Sequence, residues 1–119
     1  MFHEFNVSCN PQMRDINKVG VWPVGLVGGL MVEKPLIDPA TNRVMGWNSH
    51  WRPERAFPID MAGFAVNLRH FLAHPAAEFS FNVERGYQES VLLSQLIKVE
   101  ELEPKADNCT KVNIRVNNL

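Results

Sequence analysis

Residues 52–68 read RPERAFPIDMAGFAVNL. Arginines and prolines lead to one acid, Asp60, and that acid opens a nearly uncharged run. Met61, Phe64, Ala65, Leu68, Phe71 and Leu72 recur at helical spacing, which predicts a helix with a single apolar stripe. Asp60 stands at the N-cap position, where its carboxylate can accept a backbone N–H of the first turn. Pro75 closes the segment. A cap accounts for the acid locally. The same carboxylate, with Arg55 just before it, also suits a polar binding site at the edge of a core.

Downstream, the turn at Gly86 leads into a second predicted helix over 88–97. Glu89 precedes Leu92, Leu93 and Leu96 by three, four and seven positions, so it shares their face. An acid in a first turn ordinarily faces water and complements the helix dipole. This one is directed toward the core or a cleft lined by it. Upstream, residues 19–32 read as one or two short strands rich in Val and Leu, broken at Pro23 and at Gly28-Gly29. DPATN at 38–42 has turn chemistry, and a strand over 43–47 makes a hairpin with the earlier segment. A polar loop over 48–58 carries Trp51, Arg52, Glu54 and Arg55, and 111–116 alternates weakly, as an edge strand does. The whole is one domain of strands and helices, with no linker and no internal repeat.

Composition excludes several classes. The 119 residues are 45% hydrophobic and 21% charged, with 12 basic against 13 acidic residues, so no polyanion-binding surface is expected and nucleic acid is not a partner. The longest uncharged run, VGVWPVGLVGGLMV, is shorter than the ~20 residues that span a bilayer and is broken by glycines and a proline. MFHEFNVSCN lacks the basic and apolar regions of a signal peptide. Cys9 and Cys109 have no metal-ligand spacing, and the sequence leaves open whether they pair. Asn6 and Asn108 each begin a glycosylation acceptor pattern. GLVGG at 25–29 lacks nucleotide-fingerprint spacing, and Ser90 and Ser94 have no nucleophile motif. His70 and His74 stand four apart, but without a third ligand they read as a solvated face.

Glu33, Arg55, Asp60 and Glu89 remain, acids and a guanidinium beside apolar segments, with Trp51 as a flat face. Carboxylates accept hydrogen bonds from hydroxyls, and an indole stacks on the less polar face of a sugar. A carboxylate partly out of water also removes a hydroxyl proton during transfer. From composition alone, the same residues read first as ordinary helix caps and surface ion pairs, since exposed charges are the norm.

Four ordered blocks carry a resemblance: VWPVGLVGGL (21–30), RAFPIDMAGFAVNL (55–68), GYQESVLL (86–93) and LEPKADNCTK (102–111). They are similar to the beta-1,3-glucuronosyltransferases, over residues 13–112. The resemblance implies the acceptor-binding half of a GT-A type α/β fold, with 1–12 and 113–119 as divergent ends. It implies transfer of glucuronic acid from UDP-glucuronate to the 3-hydroxyl of a terminal galactose, with inversion, as in glycosaminoglycan-linker synthesis on proteoglycans. Manganese, a homodimer and the Golgi belong to the same implication. Glu89 falls on the general base. Glu33, Trp51, Arg55 and Asp60 fall on the acceptor side, and Asn108 on a glycosylation position. The family's Asp-rich metal triplet would fall at or before Met1, where the chain reads Met-Phe-His-Glu, and Val116 and Asn118 stand where the family has His-x-Arg. The donor half is therefore missing, and the chain alone is expected to be inactive. The alternative is a non-catalytic remnant that binds galactosides or pairs with an intact enzyme.

Overall fold

A computed structural model of the chain describes residues 3–5, 14–26, 32–49, 54–59, 61–84, 86–112 and 114–118. They form a mixed α/β structure of two small sheets and a few short helices. The first sheet has the order β1 (His3–Phe5), β8 (Ile114–Asn118), β3 (Val24–Leu26), β4 (Val32–Asp38), β5 (Arg43–Asn48). Within it β8 runs parallel to β3, and the other pairs are antiparallel. The second sheet sets β2 (Val19–Val21) between antiparallel β6 (Phe64–Val66) and parallel β7 (Glu103–Pro104).

The turn chemistry of DPATN is borne out in the β4–β5 hairpin. Asp38 accepts from Ala40 N at 2.9 Å and from the Thr41 hydroxyl at 3.1 Å, and Asn42 takes the left-handed conformation at φ 55°. Pro35 pairs with Trp47 on β5 and lies past the last residue of β4 that pairs with β3, so its missing N–H interrupts no ladder there.

The long helix expected from Met61 to Leu72 is not formed. A 3-10 turn, Met61–Gly63, leads into β6, and only Leu68–Leu72 is helical (α1). Tertiary partners explain the difference. Trp22 reaches this segment twice, its backbone N–H donating to Gly63 O at 3.1 Å and its indole to Ala62 O at 2.7 Å. β2 then takes the backbone bonds of Phe64–Val66, and a short apolar run satisfies strand and helix equally. Gly63 permits the close fit: a Cβ there would stand 3.0 Å from Ile59 Cγ1 and 3.3 Å from Val24 Cγ2. The cap of α1 is Asn67, whose Oδ1 accepts from Arg69 N at 2.8 Å and His70 N at 3.4 Å. Its amide also donates to Ile16 O at 2.7 Å.

The second expected helix is present as α2, Gln88–Ser94, and ends at the C-cap Gln95. Leu92, Leu93 and Leu96 lie in the main core with Val19, Val21 and Phe57. Burying the whole Leu93 side chain contributes roughly 1.5–3 kcal/mol. A second cluster gathers Ile16, Trp22, Val24, Ala62 and Ala106. The C-terminal strand is interior to its sheet, not an edge, because both β1 and β3 pair with β8.

Residues Ala106–Cys109 make a helical turn of the wrong hand, with φ of 56°, 55°, 54° and 61°. Asp and Asn tolerate this region, whereas for Ala and Cys it costs roughly 1–2 kcal/mol per residue. Burial offsets the cost, since Ala106 and Cys109 are 1% and 3% exposed. Lys105 N donates to Val21 O at 2.8 Å and anchors the entry to the turn.

Candidate functional site

Of the five residues expected around the sugar, Glu33, Arg55 and Glu89 are described, and their elements meet at the segment 54–59. Glu33 is on β4, half-buried, beside a recess of about 10 Å³ whose walls include Trp22, Trp47, Pro58 and Ile59. A hollow that small admits about one water and no sugar ring. Arg55 is half-buried, and its Nη1 donates to Gly86 O at 3.0 Å. Gly86 has φ 89°, a conformation that glycine takes without a steric cost. Glu89 lies in the first turn of α2 and is partly buried, as expected of an acid that shares a face with leucines. The N-cap residue Tyr87 makes no side-chain cap bond, and the helix dipole at that end favours a carboxylate. Trp51 and Asp60 lie outside the described residues, and so does Cys9.

Two side chains that sequence reasoning passed over connect these positions. Ser90 is 4% exposed and bonds both backbone groups of Phe57: its hydroxyl donates to Phe57 O at 2.8 Å and accepts from Phe57 N at 3.2 Å. The Phe57 ring meets Trp47 edge-on, with centroids 5.9 Å apart. Trp47 Nε1 is buried and has no hydrogen-bond partner, an exception among buried donors. One signal was available for Ser90: it precedes Leu93 by three and Ile97 by seven, a polar residue on the apolar face.

The remaining expectations are resolved residue by residue. His70 and His74 are not a solvated face. Both are half-buried; His70 Nε2 bonds Leu96 O at 2.7 Å, and His74 Nδ1 bonds His70 O at 2.8 Å. His70 thereby ties α1 to the residues just after α2, while the bond of His74 stays local to α1. Ser94 donates to Ser90 O at 2.6 Å, a bond within the helix. Cys109 is a buried free thiol whose pKa is raised by burial from 9.0 to about 11, so little thiolate forms at neutral pH. Asn108 is exposed on the left-handed turn, with its amide 3.4 Å from Asn42 Oδ1. Among the described residues no three of His, Cys, Asp and Glu come together as a metal-binding set. They do not fit the manganese that the resemblance implies, and no step below runs through a metal. No helix among them is long and apolar enough to cross a membrane.

Two larger hollows, about 520 and 480 Å³, lie around Lys105 and Glu103. They are wide and open to solvent, and neither is lined by Glu33, Arg55 or Glu89. In the second, the Glu103 carboxylate accepts from Asn17 N at 3.0 Å and Lys18 N at 2.7 Å, which fixes the approach to β2. The segment 54–59 instead meets the elements that carry Glu33 and Glu89 and itself bears Arg55.

The class that the chain matches is a glycosyltransferase. Residues 4–116 match the family model of Glycosyltransferase family 43, and the chain belongs to that family. It is 56% identical over 95 residues to galactosylgalactosylxylosylprotein 3-beta-glucuronosyltransferase I of Drosophila melanogaster, covering 80% of this chain and 31% of that one. It is 54% identical over 109 residues to galactosylgalactosylxylosylprotein 3-beta-glucuronosyltransferase 2 of Homo sapiens, covering 91% and 33%. With galactosylgalactosylxylosylprotein 3-beta-glucuronosyltransferase 3 of Mus musculus the identity is 52% over 101 residues, covering 85% and 30%. The resemblance read from the four blocks is borne out. The chain spans about a third of the length of the curated relatives it matches.

Proposed function

We propose that residues 13–112 are the acceptor-binding half of a GT-A type 3-beta-glucuronosyltransferase. The complete enzyme passes glucuronic acid from UDP-glucuronate to the 3-hydroxyl of a terminal galactose, as in building the proteoglycan linker. Glu33 and Arg55, with Trp51 and Asp60, hold the galactose, and Glu89 takes the proton of its 3-hydroxyl as that oxygen attacks. Inversion follows, because the base and the departing nucleoside diphosphate stand on opposite sides of the reacting carbon. The family setting adds a Golgi location, a homodimer, and a glycan on Asn108.

One observation carries this reading. The Arg55–Gly86 and Ser90–Phe57 bonds set the guanidinium-bearing segment against the helix start that carries Glu89. Acceptor binding and proton removal need these groups at one place, because a general base works only within hydrogen-bond reach of its proton. The names of the relatives supply the substrates.

Titration of the purified chain with a galactosyl-galactosyl-xyloside tests the proposal. Saturable binding is expected, weakened about tenfold or more by Arg55→Ala or Glu33→Ala, as for the loss of a hydrogen bond to a charged group. Glu89→Ala should change binding little, because the base acts on the reacting proton. No binding, or binding indifferent to Arg55 and Glu33, overturns the acceptor-half reading. With UDP-glucuronate and manganese supplied, the 119-residue chain alone is expected to transfer no glucuronate, and sustained turnover would contradict the assignment of the donor side to another part of the enzyme.

A further inference from the structure

Ser90 is the sole buried polar side chain among the described residues, on a helix face otherwise given to leucines. A hydroxyl there is costly to bury unless it is hydrogen-bonded, and an apolar residue would fill the space without that demand. What the hydroxyl does is specific. It accepts from Phe57 N and donates to Phe57 O, bonding one residue of the facing segment through both backbone groups. Phe57 O also accepts from Ile59 N at 2.8 Å across Pro58, so the carbonyl has a second partner.

Two rungs therefore join the segment 55–57 to the start of α2. Arg55 bonds Gly86 just before the helix, and Phe57 bonds Ser90 in its first turn. Glu89 is the residue immediately before the second rung. On its other side the Phe57 ring meets Trp47, which lines the recess beside Glu33. Phe57 is thus the point through which the elements of all three described site residues are referred to one another.

We infer that Ser90 is a positioning residue: its two hydrogen bonds to the Phe57 backbone fix how Arg55 and the β4–β5 wall sit relative to Glu89. The inference deepens the reading of this site as the galactose-binding place and rests on that reading. Ser90 touches no substrate and acts only through its neighbours.

The experiment uses the full chain, a galactosyl-galactosyl-xyloside, and amide hydrogen exchange at Phe57. Ser90→Ala is expected to weaken binding about five- to tenfold and to speed exchange at Phe57 at least tenfold, with Leu93 exchange less affected. Ser90→Thr, which keeps the hydroxyl, is expected to restore both. Val44→Ala loosens the same core without touching either rung, and is expected to leave affinity within about twofold of the parent. Should Ser90→Ala fail to fold, Ser90→Cys keeps the volume with a weaker donor and is expected to show the same two effects in smaller measure.

Unchanged affinity in Ser90→Ala or Ser90→Cys, with faster Phe57 exchange, overturns the positioning role and leaves a structural bond. Equal loss in Val44→Ala also overturns it, because general loosening then accounts for the effect. If the parent chain does not bind, or binds regardless of Arg55→Ala and Glu33→Ala, the reading of the site itself falls and this inference with it. Those failures are separable, since only the first two leave the Arg55 and Glu33 effects intact.

Discussion

α1 and α2 are both short helices, held in opposite ways. α1 has a side-chain cap in Asn67, with two bonds to its first turn, and none of its five residues is buried. Leu68 and Leu72 are 68% and 65% exposed. α2 has no side-chain cap, yet Ser90, Leu92 and Leu93 are all buried. One helix is started by a local cap and the other is a product of packing. A helix held by its core can form without a side-chain cap, and Glu89 stands in the first turn of that helix.

The contrast can be broken by substitution. Leu93→Ala should have the largest effect, a loss of about 2–5 kcal/mol in urea unfolding, enough to empty the folded state of a marginal domain. A loss below about 1 kcal/mol would show that α2 is not held by its core. Asn67→Ala should cost about 1 kcal/mol and speed amide exchange at Arg69 and His70, where the cap bonds end. Asn67→Asp sharpens this result, since it keeps the acceptor for the cap and loses the bond to Ile16 O. Smallest of all, Leu72→Gln should change stability by no more than about 0.5 kcal/mol, because an exposed leucine has little burial to lose. A large loss there would mean that the face of α1 is covered in solution.

These helices also show what could be read in advance. α2 was legible because leucines at helical spacing and buried leucines are the same fact seen twice. The β4–β5 turn was legible because Asp38, Ala40 and Thr41 bond one another locally. Residues 61–67 were misread as helix: Met61, Phe64 and Ala65 fit a helical period with Leu68, but Trp22 and β2 decided their conformation from far along the chain. The left-handed turn was hidden for a similar reason, since no local preference puts Ala106 and Cys109 at positive φ. At the site, Glu33, Arg55 and Glu89 stood out by charge beside apolar segments. Ser90 did not, because its role lies in a bond to Phe57 that only the fold creates.

The parallel pairing of β3 with β8 has a consequence in time. Val24 matches Ile114, and Leu26 matches Val116, so one side of β3 is completed by residues made about ninety positions later. A ribosome adding about 5–20 residues per second makes β3 roughly 5–20 s before β8 exists. β2 waits almost as long for β7. Through that interval both strands are made but lack their late partners, and contacts so distant along the chain are slow to form. The emerging polypeptide is most exposed to wrong partners then, and a chaperone that shields strand edges would matter more during its birth than at any later stage.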